Sequence, residues 1–304
     1  MDTKSHKELS LLVLSLMGNV NLHKHWEEIV EYARANEVII PVLRYLKKLN
    51  DSGEKLNSEH QFISLFNKEM QQYNLFWRNV HEIHQILSKE EIDHIFIKTI
   101  RVYECYDWDI NILIDQRDWP KALKVFYDCG WRRASIFSHP VAQIELGKLL
   151  LERKDSFPIH LHKTVSWNGL EYVPSWLVLS SRSEVNGIPY PSKLVDALIY
   201  CAQSLFENYK LTLGEIYHLM HVFENVPEED YISLARQNGW SKGAKLVIDT
   251  AKKIWNFLKD EKKIELPYRY KFKSLLRVWN EHAWKKGFGP YEMVMNSAMY
   301  FLKL

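Results

Sequence analysis

The sequence predicts an α+β protein in which a small sheet-bearing unit lies between two helical segments. Three observations carry that expectation. Apolar residues recur at helical spacing up to about residue 90. Between residues 91 and 180 the period changes, and Ile-rich runs alternate apolar with polar side chains. Helical spacing then returns from "IPYPSKLVDALIYCAQSLF" to the end. The implied organisation is a helical segment over 1–90, an α+β core over 91–180 and a helical domain over 181–304.

Each element has its own local reason. In "HWEEIVEYARANEVIIPVLRYLKKL", Trp26, Ile29, Val30 and Ala33 share one helix face. Val42, Leu43 and Leu46 form the next, with Pro41 near its start, where a missing N–H does no harm. "NDSGEKLNSEH" reads as a loop, and a long helix follows from Phe62 to Leu87, with Phe66, Tyr73, Phe76, Val80 and Ile83 along it. "IDHIFIKTI" and "DWDINILID" read as strands. "WPKALKVFYDCGW" is a short amphipathic helix with Ala122, Val125 and Phe126 inward and Gly130 as its stop. "FPIHLHKTVSW" alternates again before an Asn168-Gly169 turn. Further on, Ser192 is placed to cap a helix lined by Leu194, Leu198, Cys201 and Leu205, and Ser241 to cap another. The closing run "YEMVMNSAMYFLKL" is expected to be a docking helix, with membrane-surface binding as the alternative.

Composition narrows the functional classes. With 46% hydrophobic and 26% charged residues, the chain reads as globular. No run approaches the roughly 18 uncharged apolar residues of a membrane span. Asp2 and Glu8 make the N-terminus a poor secretion signal, so a cytoplasmic location is expected. Cys105, Cys129 and Cys201 are scattered and form no C-x-x-C pair, which excludes thiolate zinc sites and argues for a reducing compartment. From Ser241 onward there are 14 Lys/Arg against 6 Asp/Glu. In "LPYRYKFKSLLRVWNEHAWKKGFGPY" those cations alternate with Tyr268, Tyr270, Phe272, Trp279 and Trp284. That mixture suits RNA or single-stranded DNA contact, but a helical bundle with an aromatic core and a basic surface writes much the same string and is the favoured reading.

The candidate site is the D-x-D pair Asp107 and Asp109. On a continuous strand the two carboxylates share a face, about 6.6 to 7 Å apart, opposite Trp108, Ile110, Ile112 and Ile114. Such a pair can grip a hard divalent cation and leave its other positions to phosphate and water. The competing reading is a half-buried edge strand with a polar solvent face. His160-x-His162 can be read as a zinc pair, though no further ligand stands at a recognisable spacing. The chain has no G-x-S-x-G, P-loop or G-x-G-x-x-G motif.

The blocks "HWEEIVEYARANEVIIPVLRYLKKL", "NVHEIHQILSKEEIDHIFIKTI", "DWDINILIDQRDWPKALKVFYDCGW", "FPIHLHKTVSWNG" and "PSKLVDALIYCAQSLFENYKLTLGEIYHLMHVF" follow one another in a specific order. In that order and spacing the chain resembles the uncharacterised nucleotidyltransferase family of the DNA polymerase β-like nucleotidyltransferase superfamily. The resemblance implies a small mixed β-sheet core and transfer of a nucleoside monophosphate from an NTP to a hydroxyl acceptor, with Mg²⁺ or Mn²⁺. The acceptor would be a small molecule, RNA or protein. Asp107 and Asp109 match the family's metal-binding pair, and Lys98-Thr99 stands where a lysine and glycine are usual. His160 takes the place of the third carboxylate, as metal ligand or base. Lys98, Thr99, Lys163 and Arg101 are the implied phosphate contacts. The two departures, at Thr99 and His160, favour an alternative: a catalytically impaired nucleotide- or nucleic-acid-binding protein that keeps the fold.

Overall fold

The first helices and the main sheet fall where the spacing changes, but Ile188–Pro191, expected to open the second helical part, form a strand paired with Arg182–Val185. The computed structural model describes residues 3–18, 21–135, 147–167, 170–260, 264–271, 273–276, 278–279 and 297. Four helices lead: α1 (Thr3–Leu16), α2 (Trp26–Ala35), α3 (Ile39–Asp51) and the long α4 (Glu59–Lys89). Strands β1 (His94–Phe96) and β2 (Ile110–Ile114) follow, then helix α5 (Trp119–Asp128). Gly130, at φ +87°, turns the chain out of α5 as expected. Next come β3 (Arg132–Arg133), β4 (Lys148–Glu152) and β5 (Ile159–His162). The hairpin β6 (Val165–Trp167) and β7 (Leu170–Val173), helix α6 (Ser175–Ser180) and the hairpin β8 (Arg182–Val185) and β9 (Ile188–Pro191) lead to the second helical part.

That part comprises α7 (Lys193–Ala202), a π-helical turn (Gln203–Asn208), β10 (Lys210–Leu211), α8 (Leu213–Phe223), α9 (Glu228–Gln237), α10 (Ser241–Lys259) and β11 (Tyr268–Arg269). Ser192 takes the cap position of α7, whereas Ser241 is the first residue of α10 and Trp240 precedes it as cap. The strongest cap is at α8, where Thr212 and Glu215 form a reciprocal capping box. The Asn168-Gly169 turn and, apart from Ser297, the closing run lie outside the described residues. Among the described residues no helix is long and apolar enough to cross a membrane.

The chain is α+β, and its main sheet is mixed. Strand order is β1-β2-β5-β4-β3, with β2 and β5 parallel and the other neighbours antiparallel. Both faces are covered. Ile110, Ile112, Ile114, Ile159 and Leu161 pack against Phe76, Val80 and Ile83 of α4 and Ala122 and Phe126 of α5. Ile95 and Leu113 turn the other way, into a core that joins α1–α3 to α7–α10. A strand buried on both sides need not alternate hydrophobic with polar, and every residue of β2 is buried.

One expectation needs correction. "DWDINILID" is not a strand throughout: β2 begins at Ile110, and Trp108-Asp109, after Asp107, form the bend that enters it. Trp108 is therefore not on the buried Ile face but 55% exposed. The strand-based spacing between the two carboxylates does not apply.

Candidate active site

The connection from β1 to β2 carries most of the predicted residues, and long-range contacts fix its course. Just beyond β1, Lys98 adopts the left-handed conformation at φ +61°, which a side chain rarely takes without support. Tyr200 on α7 provides some, its hydroxyl donating to the Lys98 carbonyl at 2.8 Å. Arg101 donates to the Tyr103 and Tyr200 hydroxyls at 2.6 and 3.3 Å and pairs with Glu37 at 2.6 Å. The Val102 N–H reaches His218 Nδ1 on α8 at 3.3 Å, and Trp77 on α4 donates to the Cys105 carbonyl at 3.2 Å. Elements from both helical parts thus hold the loop that ends in the two aspartates.

Asp109 is buried, and a chain of polar side chains runs from it across the sheet. Asn111 donates to Asp109 Oδ1 at 2.6 Å, and Asn111 Oδ1 lies 2.8 Å from His162 Nε2. His160 Nδ1 lies 3.3 Å from Asp109 Oδ2. The cause is register: Asn111 faces His160, and Leu113 faces His162, on the parallel strands β2 and β5. The two imidazoles stand 4.7 Å apart. Burial, then the neighbouring His160, Lys148 and Lys98, holds His162 well below the usual imidazole range. His162 is thus a neutral partner of Asn111. His160 Nε2 is buried and has no hydrogen-bond partner among the described residues.

Asp107 is half-buried, and its Oδ1 accepts the Trp108 N–H at 2.7 Å. It lines a cavity of about 210 Å³ together with Arg34, Glu37, Ile39, Arg101 and Trp108. Burial, then the charges of Asp109 and Glu37, pushes its carboxyl up to about 7, against the pull of Arg101. That repulsion is what a divalent cation between the two carboxylates would relieve. Hard oxygens from two side chains suit magnesium, which usually keeps water and phosphate among its ligands. Among the described residues no three His, Cys, Asp or Glu are grouped to hold a metal by themselves.

The other predicted residues are placed differently. The Thr99 hydroxyl is buried and donates to the Ile97 carbonyl at 3.0 Å, so its proton is committed within the loop. Arg101 is committed to the loop network described above. The Lys163 ammonium lies 4.9 Å over the Trp119 ring on the α5 side of the sheet, away from His160 and His162. Lys98 reaches the site's border, 2.7 Å from Glu207 Oε2. Two residues that sequence reasoning missed stand there too: Glu207, on the π-helical turn, and Lys148, at the start of β4, 2.6 Å from Glu207 Oε1. The only local signal was a lysine after Gly147, too common to notice.

No family model and no curated protein matches the sequence. Among solved structures, the chain is similar to the solution structure of the antibiotic-resistance factor ANT(2'')-Ia. The two share 12% identity at a TM-score of 0.37, over 62% of this chain and 97% of that one. The chemistry of the site is therefore carried by its side chains alone.

Two further histidine pairs lie elsewhere. His218 Nε2 meets Asp196 Oδ2 at 2.8 Å, both buried. His94 Nε2 lies 3.0 Å from His84 Nδ1, and burial pushes His94 down to about 4.

Proposed function

We propose that this chain is a nucleotidyltransferase that moves a nucleoside monophosphate from an NTP to a hydroxyl acceptor at the Asp107–Asp109–His160 cluster. The observation that carries the reading is the contact between Asp109, in the bend that enters β2, and His160 on the adjacent parallel strand β5, with the far nitrogen of His160 buried and without a hydrogen-bond partner among the described residues. An imidazole held on one side by a carboxylate is a general base on the other. His160 Nε2 takes the proton of the acceptor hydroxyl, and Asp109 steadies the imidazolium that results. The hydroxyl oxygen forms its bond to the α-phosphorus as the bond to pyrophosphate breaks. Asp107 and Asp109 would hold Mg²⁺ or Mn²⁺, which when bound neutralises charge on the triphosphate. Asn111 and the neutral His162 keep Asp109 oriented.

A second reading has one observation in its favour. An imidazole in place of a third carboxylate adds no negative charge for metal binding, which favours a protein that binds nucleotide without turnover. Incubation with each α-labelled NTP, Mg²⁺ or Mn²⁺ and a cell extract separates the two. Transfer of label that is lost in Asp107→Ala/Asp109→Ala is the expected result. Nucleotide binding with no transfer under either metal favours the second reading.

A further inference from the structure

We propose that Lys98 and Lys148 form a polyphosphate-binding subsite held closed by Glu207, whose carboxylate stands in for a phosphate group. The identity of the natural anion, the triphosphate of a nucleotide, rests on the nucleotidyl-transfer reading; the subsite itself rests on geometry. Each ammonium meets a different oxygen of one carboxylate, at 2.7 Å for Lys98 and 2.6 Å for Lys148. These are charge-assisted contacts of the kind that non-bridging phosphate oxygens make. All three side chains are at least nine-tenths buried.

Sheet topology puts this cluster beside the reaction centre. Lys148 lies opposite His162 in the register of β4 and β5, and Asn111 lies opposite His160 in that of β2 and β5. The Ile97 N–H bonds the Asn111 carbonyl at 3.0 Å, so Lys98 leaves the sheet next to the aspartates. The two lysines therefore flank the polar chain of Asp109, Asn111, His160 and His162 from either side. Burial is the main cause of the lowered His162 imidazole pKa, His160 the next, and both lysines lie near enough to add to it.

Stability is a weak reason for such a cluster. Buried ion pairs seldom outperform apolar residues of similar volume, because desolvation offsets their attraction. The carboxylate is also presented unusually. Glu207 sits on a π-helical turn, Gln203–Asn208, that ends in Tyr209 at φ +56°. Such wide turns are rare and concentrate at functional sites. The turn brings Glu207 to lysines 109 and 59 positions away in the chain. A phosphate carries more charge than a carboxylate and offers more acceptor oxygens, so it can displace Glu207 from the pair.

The test is calorimetric titration of the whole chain with sodium tripolyphosphate in EDTA, with no nucleotide or metal. Removing the competitor by Glu207→Gln is expected to tighten binding about tenfold or more, and Lys148→Met to weaken it about tenfold. Lys148→Met leaves a matched Lys98–Glu207 pair, so it decides the question if Glu207→Gln does not fold. Binding in Lys148→Met equal to wild type, or a folded Glu207→Gln that binds no tighter than wild type, overturns the proposal. Transfer activity is not read in this experiment. Tripolyphosphate binding with these shifts stands even where label transfer fails, and label transfer without them removes the subsite alone.

Discussion

Two buried aspartate–histidine pairs in this protein look alike and are wired differently. In His218–Asp196 both ring nitrogens are engaged: Nε2 faces the carboxylate, and Nδ1 accepts the Val102 N–H. In His160–Asp109 one nitrogen faces the carboxylate, and the other is buried without a partner among the described residues. The first ties α7 and α8 to the loop that carries the aspartates. The second stands at the end of that loop, beside a second carboxylate and between two lysines. The far nitrogen distinguishes them: satisfied, it makes a strut; unpartnered, it is left for a substrate proton.

If His218 is a strut, removing it should harm the fold before the chemistry. His218→Ala leaves Asp196 buried without its imidazole and the Val102 N–H without its acceptor. A loss of about 3–5 kcal/mol is expected in urea unfolding. A loss near zero would put the two pairs in the same class. The third pair sharpens the contrast through pH. His94 has its folded pKa depressed to about 4 from 6.5. Its contribution is therefore intact above about 6.5 and lost as pH falls toward 4, where the unfolded chain takes up the proton. The stability advantage of wild type over His94→Gln should shrink by about 3 kcal/mol between pH 7 and 4. A constant gap across that range would mean that His94 is not held neutral by burial. The smallest effect is expected at Gly214 on α8, where an added Cβ would collide with the Tyr103 hydroxyl and press on Arg101. Gly214→Ala should cost about 1–3 kcal/mol in thermal unfolding. An unchanged melting temperature would show that the loop yields at that point.

The same contrast explains what the sequence disclosed. The α+β class was legible because the helical runs and the Ile-rich strands keep different periods. Asp107 and Asp109 stood out as a motif, and the alternation in "FPIHLHK" correctly set His160 and His162 on the face opposite Ile159 and Leu161. The start of β2 was not legible, because Trp108 stands in phase with Ile110, Ile112 and Ile114, so the apparent alternation runs on into the bend before the strand. Trp108 looked like a core residue for that reason and proved to be on the surface. The loop from Lys98 to Asp109 takes its shape from Glu37, Trp77, Tyr200 and His218, all distant in sequence. Glu207 was hidden twice over, by its distance from Lys98 and Lys148 and by a π-helical turn that no local pattern announces.

The most direct measurement compares label transfer by His160→Gln and His218→Gln, each corrected for its folded fraction, with an α-labelled NTP, Mg²⁺ and the extract that supports wild-type transfer. His160→Gln is expected to remain as folded as wild type and to lose about a hundredfold or more in rate. The folded fraction of His218→Gln should transfer at close to the wild-type rate. Full activity in folded His160→Gln would contradict the assignment of His160 as the base and leave the two pairs with a single, structural role.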